Sequence, residues 1–163
     1  MIIRPETLGD HDSIRNILIA AFANHPYSHQ TEHLIVEALR ADDALTVSLV
    51  AEVDGTVVGQ IAFSPVSIDG KDCGWLALGP VAVLPSYQRQ GIGQALVNEG
   101  LKTIRSIGVQ GCVLVGDPAF YRRFGFYLDF CKMMVPCYKT GPSGHSKWLS
   151  MLARKRALSR TVA

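Results

Sequence analysis

What this sequence lacks narrows it before any motif is considered. No apolar run approaches the ~20 residues that a membrane-spanning helix needs. The opening residues, MIIRPETLGDHDS, show no basic stretch ahead of an apolar one, so no secretory leader is expected and the cytoplasm is the expected setting. The four cysteines (Cys73, Cys112, Cys131 and Cys137) include no C-x-x-C pair. Zinc and dithiol redox chemistry are therefore unsupported, no metal site is expected, and reduced, packed thiols are the simpler reading. Charged residues are 18% of the 163, below the ~25% usual for soluble domains, while apolar residues are 48%. That balance excludes a disordered chain, and the length suits one domain with one core.

Acid is missing from one end. Residues 131–163 hold seven Lys and Arg and no Asp or Glu, whereas residues 1–130 hold nine against fourteen. The segment ARKRALSR could meet an anionic surface. It is short and has no interleaved aromatics, so a solvated end is favoured over nucleic acid as a partner.

What is present is a succession of punctuated elements. Ile2 and Ile3 begin a strand ended by Pro5. Thr7 or Asp10 can cap a helix whose Ile14, Ile17, Leu18 and Ala21 share one face. Pro26 breaks it, and a second helix carries Leu34, Ile35, Ala38 and Leu39 as its apolar set. Three antiparallel strands, about 46–53, 56–67 and 72–84, follow with Asp54-Gly55 and Asp69-Gly70 as tight turns. Gly79-Pro80 interrupts the third, which should kink or splay there. A helix from the QRQGIG stretch to about Ile107 buries Val97, Leu101 and Ile104, and Gly108 ends it. VQGCVLVGD reads as a strand buried on both faces. Its helical connection to the 72–84 strand makes those two strands parallel. Pro118 then suits the first turn of a short helix.

Two glycines at a strand-to-helix junction, Gly91 and Gly93, allow a sharp turn or a cradle of backbone N–H groups for an anion. No Lys-Ser/Thr follows, so this is not a P-loop. Leu96 stands where the dinucleotide fingerprint needs glycine. Spacing alone leaves the two readings open.

The stretch LGPVAVLPSYQRQGIGQALV resembles the acetyl-CoA-binding core of the GNAT superfamily of N-acetyltransferases, through Val83, Pro85 and the run Gln88-Arg89-Gln90-Gly91-Ile92-Gly93. Downstream, DPAFYRRFGF resembles the same family's Phe-Tyr-x-x-x-Gly-Phe segment. Together with AFSPV, these motifs are similar to the small bacterial YhbS-like group, over about residues 1–130. The resemblance implies an α/β (α+β) GNAT fold: a mixed central sheet with splayed parallel fourth and fifth strands and helices on both faces. It implies a GNAT domain over residues 1–140 and an atypical basic segment over 141–163. The C-terminal hairpin usual in the family is left open, because SKWLSMLARKRAL reads better as a basic amphipathic helix.

The resemblance also implies acetyl-CoA as co-substrate. Val81, Ala82 and Val83 would pair with its pantetheine arm, and Gln88, Arg89, Gln90, Gly91, Ile92 and Gly93 would seat its pyrophosphate. Asp117, Phe120 and Tyr121 would line the same ligand. Tyr121 stands at the family's general-acid position, and a backbone N–H near Val83 is the candidate oxyanion donor. The acceptor would be a small-molecule or peptide amine, and a homodimer is a further expectation. A general base is not apparent: Glu52, Asp72, His25, His29 and His33 are candidates only. A fold that holds acyl-CoA as a ligand or sensor without turnover stays open as the alternative.

Overall fold

The computed structural model describes residues 1–25, 28–68, 70–129 and 132–136, and for 128, 129 and 132–136 the backbone alone. Two compact units share the chain: Met1–Ser64 with Leu78–Ile107, and Pro65–Ala77 with the residues from Gly108 onward.

The first unit holds β1 (Ile2–Pro5), α1 (His11–Phe22), α2 (Glu32–Ala41), β2 (Val47–Val53), α3 (Ile92–Ser106), most of β3 (Thr56–Ile68) and the end of β4 (Lys71–Val83). Its strand order is β1-β2-β3-β4, with β2 antiparallel to both β1 and β3. The β2–β3 turn is set by left-handed Asp54 (φ +49°) and Gly55 (φ +77°), as the Asp-Gly pair requires. Of the other predicted turn, Asp69 lies outside the described residues.

The apolar spacing of α1 works as read: Ile14, Ile17 and Leu18 bury against Val50, Ala62 and Ala82. On α3, Leu96, Val97, Leu101 and Ile104 are buried. This helix lies close on β3. A Cβ at Gly100 would fall 2.6 Å from the Phe63 ring, and one at Gly59 would fall 3.0 Å from Leu96.

Helix α2 corrects the sequence reading. Its buried residue is Val36, while Leu34 and Ile35 are 48% and 49% exposed. Val36 packs into the core with Ile14, Ile17, Leu18 and Val50, and ion pairs flank it: Glu37 meets Arg15 at 2.7 Å and Arg40 meets Glu6 at 2.9 Å. Ser48 also donates to Glu6, and the wholly buried Gln60 donates its amide to Ser48 Oγ at 3.3 Å.

A second polar knot ties the chain start to β2. Arg4 reaches Asp10 at 2.7 Å and Glu52 at 2.9 Å. The Asp10 carboxylate also accepts the Thr7 N–H at 2.7 Å and its hydroxyl at 2.8 Å. The Arg4 guanidinium and these donors hold the Asp10 carboxyl well below the usual carboxylate range, against the opposing effect of burial.

The second unit holds the remainder of β3 and β4, then β5 (Gly111–Leu114), α4 (Pro118–Tyr121), β6 (Tyr127–Asp129) and β7 (Lys132–Pro136), in the strand order β3-β4-β5-β7-β6. Ile68 and Trp75 form its apolar cluster with Val66, Cys73 and Val113. As expected, β5 lies parallel to β4. The ladder covers three pairs, Trp75–Gly111 to Ala77–Val113, and goes no further. Strand β4 itself continues to Val83 through a cis Gly79-Pro80 peptide. The interruption read in the sequence thus lies inside a continuous strand, just past the point where pairing with β5 ends.

The hairpin left open by the sequence is there: β7 pairs antiparallel with β6 and with β5. Weak alternation after Val135 concealed it, because the strand ends one residue later at Pro136. The basic C-terminal segment, with its expected helix, lies outside the described residues, as do Cys131 and Cys137.

Candidate functional site

The glycine stretch lies in the first unit. After Val83 the chain makes a single tight helical turn over Pro85–Tyr87, and Leu84 N–H bonds the Val58 carbonyl at 2.9 Å, which ties the turn to β3. Gln88 bridges back to the Val83 carbonyl at 3.0 Å, and Gln90 to the Ser86 carbonyl at 3.2 Å. Arg89 (φ +61°) and Gly91 (φ +85°) are both left-handed, on either side of Gln90. Alternation of this kind turns successive N–H groups toward one side, the concave arrangement that receives anions.

Helix α3 starts at once, with Gly91 as its cap and Ala95 N–H to the Gly91 carbonyl as its first bond, at 3.0 Å. Among the described residues, no N–H from Arg89 to Gln94 meets a protein acceptor. Free donors at a helix start also carry the positive end of its dipole. Nothing lies within 4 Å of where a Cβ at Gly91 would be, so the approach to these donors is open. The exposed Arg89 adds a cation beside them. Val81, Ala82 and Val83 lead into this turn as the last residues of β4, with Ala82 and Val83 buried.

The second set of predicted residues lies in the second unit. Asp117 caps α4 by accepting the Ala119 N–H at 2.8 Å, and Pro118 occupies the first turn as read. Tyr121 ends α4 and is 8% exposed. Three phenylalanines surround its ring: Phe120 edge-on at 4.9 Å, Phe126 edge-on at 5.8 Å and Phe124 tilted at 6.4 Å. Arg123 stacks over Phe120 at 5.3 Å. Among the described residues the Tyr121 hydroxyl has no hydrogen-bond partner. Burial, with a smaller contribution from Cys112, pushes the phenol up to about 12. Such a group is a neutral donor at any physiological pH.

The candidate bases stand in different surroundings. Glu52 is engaged by Arg4, and Asp72 is an exposed residue that accepts the Gly74 N–H at 2.9 Å. His25 and His29 are exposed, His33 is half-buried, and His25 tilts against Phe22 at 5.7 Å. Gly116, which the Tyr121 ring overlies, was missed in the sequence, and Phe126 was read as part of the motif but not as a contact of that ring. Their signal was present in GDPAFYRRFGF, but spacing alone does not say which residues touch. Among the described residues, no group of three His, Cys, Asp or Glu could hold a metal, and no helix is long and apolar enough to cross a membrane.

Comparison with known proteins draws both sets into one family. Residues 45–128 match the Acetyltransferase (GNAT) domain. The chain is 41% identical to the "Uncharacterized N-acetyltransferase YhbS" of Escherichia coli K12 over 129 residues, 78% of this chain and 74% of that one. A crystal structure of a GNAT family acetyltransferase from Brucella melitensis in complex with acetyl-CoA is 50% identical, with a TM-score of 0.82, covering 86% of this chain and 90% of that one. That of Escherichia coli YhbS in complex with CoA is 34% identical, with a TM-score of 0.76, covering 84% and 81%.

Proposed function

This chain belongs to the GNAT acetyltransferase family, and from that premise we propose that it transfers the acetyl group of acetyl-CoA to a primary amine by direct attack. The observation that carries the reading is the row of free N–H groups from Arg89 to Gln94, opening beside the end of β4. It supports a pyrophosphate seat on residues 88–93 and a pantetheine contact along Val81, Ala82 and Val83. Asp117, Phe120 and Tyr121 complete the proposed contacts. The relatives solved with acetyl-CoA and CoA support that co-substrate.

In the reaction the neutral amine nitrogen attacks the thioester carbonyl carbon. The C–N bond forms, the oxyanion collapses, and the C–S bond breaks. The amine loses one proton and the departing sulfur gains one. Tyr121 is the proposed donor to sulfur. Its phenol, at about 12, stays protonated near neutral pH. An ordinary thiol lies near ~8.5, so complete transfer from this phenol is uphill. The phenol therefore acts first as a hydrogen-bond donor to the sulfur as its charge grows.

The acceptor is a small-molecule or peptide amine. The test is thiol release from acetyl-CoA with an alanine-initiated peptide, lysine methyl ester, spermidine and kanamycin as acceptors. Tyr121→Phe should lower kcat by about 10²–10⁴ and leave acetyl-CoA affinity within a factor of two or so. Turnover unchanged in Tyr121→Phe would remove the donor assignment.

A second reading follows from the ion pair that engages Glu52: the fold holds acyl-CoA without turning it over. Tight acetyl-CoA binding with no thiol release on any of these amines would favour it.

A further inference from the structure

We infer that Gly116 is a positioning residue for the transfer reaction: its missing side chain is the floor on which the Tyr121 ring is set. The inference rests on the role proposed above for Tyr121. Gly116 lies in the exposed connection between β5 and α4. Its backbone does not adopt a left-handed conformation that would call for glycine. Space is what calls for it. A Cβ at this position would sit 2.5 Å from Tyr121 Cε2, 3.0 Å from Cδ2 and 3.2 Å from Leu114 Cδ1.

The ring has little freedom to yield. Phe120 and Phe126 pack against it edge-on and Phe124 lies tilted beside it. The backbone below is fixed as well, because Tyr121 N–H bonds the Asp117 carbonyl at 3.1 Å and Asp117 caps the same short helix. Restoring ordinary contact, 3.4 Å or more, requires ring and loop to part by about 1 Å. The hydroxyl, at the far end of the ring, moves with it. A misplacement of ~1 Å in a reacting group is enough for a loss of about 100-fold.

The test is a double-mutant cycle on Gly116→Ala and Tyr121→Phe, read by thiol release from acetyl-CoA with the four amines above, together with a crystal structure of Gly116→Ala. Gly116→Ala should lower kcat about 10- to 100-fold, leave acetyl-CoA affinity nearly unchanged, and add no further loss in the Tyr121→Phe background. Its structure should show the Tyr121 hydroxyl displaced. A Gly116→Ala loss that persists undiminished in the Tyr121→Phe background overturns the inference, as does a hydroxyl that has not moved. If Tyr121→Phe alone has no effect, the donor role itself fails, which is a separate outcome. Should Gly116→Ala unfold below the assay temperature, Phe126→Leu enters the same cycle from the other side of the ring, with the same expected non-additivity.

Discussion

Replacing Gly91 separates the strain it relieves from the ligand it admits. Its φ of +85° is a left-handed conformation, and no atom lies within 4 Å of where a Cβ would be. Gly91→Ala therefore meets no obstacle in the free protein and costs only the backbone conformation, roughly 1–2 kcal/mol. For a chain of this size that is about 2–8 °C of melting temperature. Gly91→Glu carries the same backbone cost and adds a carboxylate where an anion is proposed to sit. At ~4 Å from a phosphate charge, with an effective dielectric of ~20, the repulsion is about 4 kcal/mol, and a side chain that swings to twice that distance halves it. Acetyl-CoA should then bind about 30- to 1,000-fold more weakly to the Glu variant. The Ala variant, which adds no charge, should lose less than about tenfold. Calorimetric titration gives both affinities and thermal melts give both stabilities. If the two variants melt together yet bind acetyl-CoA within about threefold of each other, the anion seat is not at Gly91.

Two further outcomes concern stability. Gly100→Ala forces a Cβ to within 2.6 Å of the Phe63 ring and should cost about 1–3 kcal/mol, read by urea denaturation; an unchanged midpoint would mean that α3 shifts freely on β3. The depressed Asp10 carboxyl contributes stability that is fully present above the ordinary carboxylate pKa of ~3.9. That contribution is lost as pH falls below it toward the folded value. Asp10→Asn should therefore be less stable at neutral pH by about 1–2 kcal/mol, allowing for the partly exposed Arg4. The gap should narrow on acidification below about pH 4, and a gap independent of pH would contradict the pairing with Arg4.

Much of this was legible in the chain because the signals were local. The Asp54-Gly55 turn, the α1 and α3 faces and the Pro118 helix start each depend on a few neighbouring residues, and the parallel β4–β5 pair follows from the helix that connects the two strands. The anion-binding turn was legible only as two alternatives. Two glycines permit a cradle, but the left-handed Arg89 that completes the alternation gives no sign of itself in the letters. Helix α2 was misread because periodicity ranks apolar residues alone. Its buried side is set by where Val36 meets Ile14, Ile17, Leu18 and Val50, contacts distant in the chain that periodicity within one helix does not contain. Glu52 is a candidate base in the sequence, which does not show that Arg4, across the β1–β2 ladder, bonds it. The role of Gly116 depends on where a ring four positions later comes to rest, which spacing does not disclose.

The most direct measurement is an amide-proton NMR titration of isotope-labelled protein with acetyl-CoA. The account predicts that the N–H signals of Arg89, Gln90, Gly91, Ile92 and Gly93 shift together and saturate with one affinity. If those five stay in place at millimolar acetyl-CoA while amides elsewhere move, the central claim is wrong.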